Sequence, residues 1–116
     1  MKRTVQELIV DLKQNKREYK KLLKKYSKNK SKIVTCLECY NQVGDIKYEY
    51  DILYGNTHNK VYDNLWAVLD NATDNILAEL NKYVSDNDDS RQLRWLFSDI
   101  NYCNFRIAQK LSAGEQ

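Results

Sequence analysis

Residues 45–54 read DIKYEYDILY, and this stretch decides whether the chain is helical throughout. Ile46, Tyr48, Tyr50, Ile52 and Tyr54 alternate with Lys47, Glu49 and Asp51, which is period two, the pattern of a strand. The same stretch also fits a helix, because Ile46, Tyr50, Leu53 and Tyr54 fall on one helical face. A strand needs a partner. The nearest is KVYDNLW at residues 60–66, beyond the turn-forming GNTHN, and a lone two-stranded hairpin is marginal in water. Helix is therefore expected over 45–54, with an irregular or hairpin segment near residues 44–60 as the alternative.

Working outward, Gly44-Asp45 weakens the helix that precedes this stretch, and Gly55-Asn56 is a stop signal after it. Upstream, Ile33, Val34, Leu37, Tyr40 and Val43 recur at helical spacing behind Ser31, a candidate N-cap. The polar turn SKNKS, residues 27–31, separates this segment from the first one. There, Thr4 and Glu7 form a T-x-x-E capping box. Val5, Leu12, Tyr19 and Tyr26 follow at intervals of seven, with Leu8, Asn15 and Leu22 as a second row. Asn15 is the polar member of this seam. A partly exposed seam-edge position is expected for it, and a register-setting polar contact is the alternative.

Downstream, Val61, Leu65, Val68, Leu69, Ala72, Ile76, Leu80 and Tyr83 mark the expected apolar face of a third helix. The turn SDNDDS, residues 85–90, leads to a fourth whose face is Leu93, Leu96, Phe97, Ile100, Ile107 and Leu111, with Gly114 in the C′ position. Helices are thus expected at about 4–27, 31–54, 59–84 and 89–113, forming one all-α domain over residues 1–116. The expected architecture is an antiparallel four-helix bundle.

With 116 residues, no proline and three glycines, the chain has little to interrupt long helices. Hydrophobic residues make up 42% and charged residues 30%, a globular rather than disordered balance. No apolar run approaches the roughly 20 residues that span a bilayer, and the N-terminal apolar residues are spaced and interrupted by acids, unlike a signal peptide. A cytoplasmic location is expected, and the odd number of cysteines agrees with reduced thiols.

Charge is distributed unevenly. Residues 13–32 hold ten basic residues and one acid, Glu18, a net +9 within a chain of +3, so residues 33–116 carry −6. Lys13, Lys16, Arg17, Lys20, Lys21, Lys24, Lys25 and Lys28 cover the side of the first segment opposite its apolar seam. They form either a solvated face that complements the acidic remainder or a binding face for phosphate or an acidic protein. Tyr19 and Tyr26 fall within the run but on the apolar seam, so the basic side itself carries no interleaved aromatics or glycines of the kind single-strand binders use, and no named DNA-binding motif is present.

Cys36 and Cys39 form a C-x-x-C, and Cys103 with His58 nominally completes four zinc ligands. On a continuous helix, however, His58 lies about 29 Å along the chain from Cys39, and the second paired spacing of a structural zinc site is missing. Buried or half-buried structural thiols are expected instead. Asp86, Asp88 and Asp89 fail the calcium-loop pattern, since Arg91 and Phe97 stand where glycine and glutamate are needed. They read as a turn and an N-cap. Asp70, Asp74 and Glu79 lie off the apolar stripe of their helix. With one histidine and no glycine-rich phosphate loop, no catalytic residue, metal site or cofactor is assigned.

Tyr62 with Trp66, and Trp95 with Tyr102, lie to one side of their apolar stripes, and Arg91, Arg94 and Arg106 share the fourth segment. They either widen the core or form an exposed patch of the residue types that anchor interfaces. The functional expectation is a non-enzymatic binding protein that docks on a larger protein and modulates it, with inhibition the favoured form, through Tyr62, Trp66, Trp95, Tyr102, Arg91 and Arg94. The Asn, Lys, Tyr and Ile-rich composition is associated with phage and mobile-element products, so an accessory, inhibitor or immunity protein is the expected setting. The alternative is nucleic-acid binding through Lys13–Lys32, and self-association is a third class. No membrane partner is expected.

Overall fold

The computed structural model describes residues 2–55 and 60–114. The chain is all-α. Among the described residues four helices follow in order, α1 (Val5–Lys24), α2 (Lys30–Tyr54), α3 (Lys60–Tyr83) and α4 (Asn87–Ser112), with one 3₁₀ turn at Ser27–Asn29. Among the described residues there is no strand. No helix among them is long and apolar enough to cross a membrane. The expected zinc candidate His58, the helix start at Asn59 and the Asn56 half of the stop signal lie outside the described residues.

Residues 45–54 are helical, so the hairpin alternative is not adopted. Helix places Lys47, Tyr50, Asp51 and Tyr54 on one side, where α3 supplies partners for them. Lys47 bonds Asp70 at 2.7 Å, Tyr62 donates to Asp51 at 2.9 Å, and Tyr50 stacks on Tyr62 at 5.4 Å. Period-two residues point to both sides of such a helix, and the apolar residues of α2 are accordingly spread around it. Gly44 lies inside α2 with open space around its Cα and does not break it. Gly55 caps α2, its N–H reaching the Asp51 carbonyl at 2.8 Å.

The helices divide into two compact units, one containing α1 and α4 and the other α2 and α3. In the first, α1 and α4 run antiparallel: Tyr19 meets Phe97, and Lys25 meets Asp89. Val5, Leu8, Leu23, Leu93, Leu96 and Cys103 are its buried core. The capping box forms as expected, with Thr4 Oγ1 accepting from Glu7 N–H and Glu7 Oε1 accepting from Thr4 N–H, both at 3.1 Å. At the far end Gly114 takes φ +76 just beyond α4 and its N–H reaches the Leu111 carbonyl, the role for which glycine suits a helix end.

In the second unit, Ile33, Cys36 and Leu37 of α2 and Leu80 of α3 are buried, as is Val84 just after α3. Three expected details are corrected. Ser31 is not the N-cap of α2: the helix starts at Lys30 after Asn29, because the 3₁₀ turn carries the chain directly into it. The fourth helix starts at Asn87, which puts Asp89 and Ser90 inside its first turn. The apolar face of α3 is also rotated. Val61, Leu65 and Val68 are 66%, 43% and 61% exposed, while Tyr62 and Trp66 turn toward α2. The larger rings offer more contact area, a stacking partner and a hydroxyl donor, and so set the contact line. Leu111 is likewise exposed near the end of α4.

Candidate functional site

The sequence points to a basic surface, an aromatic surface and a set of thiols. The basic surface lies on α1. Lys13, Lys16, Arg17, Lys20, Lys21 and Lys24 recur at spacings of three and four, so they share one broad side of the helix, and all are exposed. Lys25 and Lys28 continue the run past the helix end and are exposed too. Lys25 bonds Asp89 at 2.9 Å, and Asp89 also accepts from the Tyr26 hydroxyl. These two donors, Tyr26 above Lys25, hold the Asp89 carboxyl below its ordinary range. Among the described residues, Lys13, Lys16, Arg17, Lys20, Lys21, Lys24 and Lys28 make no salt bridge. Among the described residues, a salt bridge neutralises this face at one position, Lys25.

The aromatic set divides between the two units. Tyr62 and Trp66 stack on each other at 5.9 Å within the α2–α3 pair. The Lys47 ammonium lies 5.1 Å from the centre of the Trp66 ring. The hydrogen bond to Asp51 raises the Tyr62 hydroxyl above its ordinary value. These two aromatics widen the helix–helix contact. Trp95 and Tyr102 remain 56% and 50% exposed on α4, and Phe105 beside them is 63% exposed. Arg91 is exposed, whereas Arg94 turns back to bond the Ser90 carbonyl at 3.3 Å.

A polar cluster that the sequence reading did not identify joins α1 to α4. Asn15 is buried, and its amide donates to Asp99 Oδ2 at 2.7 Å. The Arg3 guanidinium reaches both oxygens of Asp99, at 3.1 and 3.3 Å, and Asp11 at 2.9 Å. It also lies 5.4 Å from the Tyr102 ring centre. Bonds to Asp99, then Asp11, raise its pKa further above an already basic value. The expected seam-edge exposure of Asn15 is thus corrected: a carboxylate on the facing helix lets the amide go inside. The signal in the sequence was the polar residue itself, which demands a polar partner across the seam. An open cleft of about 460 Å³ lies over this cluster, with Glu18 and Trp95 at its walls. Its charged groups are largely bonded to one another.

No protein-family model, curated protein or solved structure matches this chain.

Cys36 and Cys103 are buried, and burial pushes both thiols up. Cys39 is exposed, which corrects the expectation of a buried or half-buried thiol at that position: it stands two residues, about 200° of helix turn, from the buried Leu37. Cys36 and Cys39 belong to one unit and Cys103 to the other. No group of three or more potential metal ligands occurs among the described residues.

Proposed function

We propose that this chain acts by binding rather than by turnover, and that the basic face of α1 docks on the phosphate backbone of nucleic acid without reading its sequence. One observation carries the proposal: seven cations stand exposed on α1 and the turn after it without intramolecular carboxylate partners among the described residues. Several of them repeat at four-residue intervals, such as Lys13 with Arg17, Lys16 with Lys20, and Lys20 with Lys24. Like charges so placed destabilise a helix by about 1–2 kcal/mol in total at low salt. A polyanion relieves that repulsion and releases its own counterions. From Lys13 to Lys24 the face runs about 16 Å, the axial length of roughly five phosphates on one strand. Tyr19 and Tyr26, the aromatics of this stretch, engage Phe97 and Asp89 of α4 rather than standing among the cations, which favours a duplex backbone over stacked single-strand bases.

A second reading is favoured by the outward side of α4, where Trp95, Tyr102 and Phe105 stand exposed with Arg91. These are the residue types that anchor protein interfaces. It supports docking on a larger protein, as an inhibitor or immunity-type accessory would, although Tyr62, Trp66 and Arg94 are spent on internal contacts. Titration of the chain with generic duplex at stepped salt, beside the Trp95→Ala variant, separates the two. Affinity that falls steeply with salt and ignores Trp95 supports the first reading; no binding at low salt rejects it.

A further inference from the structure

Two rows of side chains face each other beside the α1–α4 seam. Asp11, Asn15 and Glu18 on α1, and Tyr102, Asp99 and Trp95 on α4, follow one another at intervals of three and four, so each row lies on one side of its helix. The helices are antiparallel, and the Asn15–Asp99 hydrogen bond is the middle rung between the rows. On one side of this rung the chain has placed a cation of its own. The Arg3 guanidinium bonds Asp11 and Asp99 and lies 5.4 Å from the centre of the Tyr102 ring. On the other side, about 10 Å along the helices, the same pair of groups recurs. A carboxylate from α1, Glu18, and a ring from α4, Trp95, stand in the walls of the cleft of about 460 Å³. No cation of the chain joins these two. Among the described residues Glu18 makes no salt bridge. Trp95 makes no ring or cation contact among them and is 56% exposed.

We infer that this cleft binds a guanidinium group from outside the chain, seated between Glu18 and Trp95 as Arg3 is seated between Asp11 and Tyr102. Charge favours a cation. Asp11, Glu18 and Asp99 line the cleft against Arg3 alone, which leaves two net negative charges in its walls. Hydrogen-bond capacity agrees. The Asn15 amide nitrogen is committed to Asp99, so its carbonyl oxygen is a further acceptor, and the Gln14 side chain supplies another. A guanidinium brings five donors in a planar fork for such acceptors and a flat face for the indole. An ammonium is a more strongly hydrated point charge and does not stack. A metal ion is a poorer match, because no group of three or more potential ligands occurs among the described residues. The volume lies within the range of about 300–1,000 Å³ typical of small-ligand clefts. None of the cations of the basic face lines this cleft, so the inference stands apart from the polyanion reading.

Magnetic-resonance titration of the full chain tests this, read on the indole N–H signals of its two tryptophans, with Trp66→Phe identifying the signal of Trp95. At about 0.15 M salt, N-acetyl-arginine amide is expected to shift the Trp95 signal with a dissociation constant of about 1 mM and to leave that of Trp66 in place. N-acetyl-citrulline amide has nearly the same shape without the charge and should shift neither. Glu18→Gln, at an exposed position, should weaken binding about tenfold while the backbone spectrum stays that of the folded wild type. A capped pentapeptide with one central arginine separates the two sources of the group. Binding about tenfold tighter than the amide assigns the seat to an arginine on a partner chain, and binding no tighter assigns it to a small guanidino compound. A Trp95 signal unmoved at about 20 mM arginine amide overturns the inference, as does an equal response to the citrulline probe or an undiminished affinity in folded Glu18→Gln. The probes carry no phosphate, so none of these results depends on whether α1 binds a polyanion.

Discussion

The Asn15 amide donates to the Asp99 carboxylate at 2.7 Å across the α1–α4 seam, inside a row of otherwise apolar positions. A buried polar pair of this kind fixes register, because sliding α4 by one turn leaves both groups without partners.

Asn15→Ala is expected to destabilise the fold by about 1–2 kcal/mol, and Asp99→Ala by about 2–3 kcal/mol, since the second change strands the Asn15 amide and leaves Arg3 only Asp11. The double variant should cost less than the two singles combined, because both act on one network. Chemical denaturation followed by far-UV circular dichroism reads these values. Strict additivity would mean that the two residues act independently.

Trp66 is stacked on Tyr62, whereas Trp95 is 56% exposed. Trp66→Ala should therefore cost about 2–3 kcal/mol and Trp95→Ala less than about 1 kcal/mol. Acrylamide should quench the fluorescence of the Trp66→Phe variant, whose remaining indole is Trp95, more strongly than that of Trp95→Phe. The reverse order would show that α3 is not turned as described.

Acid sensitivity should follow Asp89. Tyr26 and Lys25 hold its carboxyl below the ordinary 3.8. Its contribution is therefore complete above that value and is lost as pH falls through the lower folded one. The wild type should lose stability below about pH 4, and Asp89→Asn should show a shallower decline over the same range. An equally steep acid limb in the variant would contradict the assignment.

The thiols should separate by reactivity. Cys39 is exposed, while burial raises Cys36 and Cys103. Iodoacetamide should label Cys39 first in the folded chain, with the other two reacting on unfolding. Mass spectrometry of peptides after a short pulse identifies the order, and early labelling of Cys36 would refute the packing of α2.

Most of the fold was legible because helices announce themselves at their ends. Thr4 with Glu7 marked the first start and Gly114 the last stop, and turn-rich stretches marked the breaks. What stayed hidden was rotation. Periodicity assigned Val61, Leu65 and Val68 to the core, but side-chain size chose Tyr62 and Trp66 for the contact with α2. The basic face was legible as composition, yet its lack of partners was not, since pairing of Lys25 with Asp89 joins residues 64 apart. The Arg3–Asp99 contact, 96 residues apart, had no local signal beyond the anomalous Asn15.

The most direct test of the basic face is duplex binding as a function of salt. A fluorescent generic duplex should bind at low salt, with log affinity falling on log salt at a slope of about −4 to −6, equivalent to five or six phosphates neutralised. Lys16→Glu with Lys20→Glu and Lys24→Glu should abolish that binding while leaving helicity unchanged. Absence of binding by the wild type at low salt, or an undiminished affinity in the folded triple variant, would contradict the account.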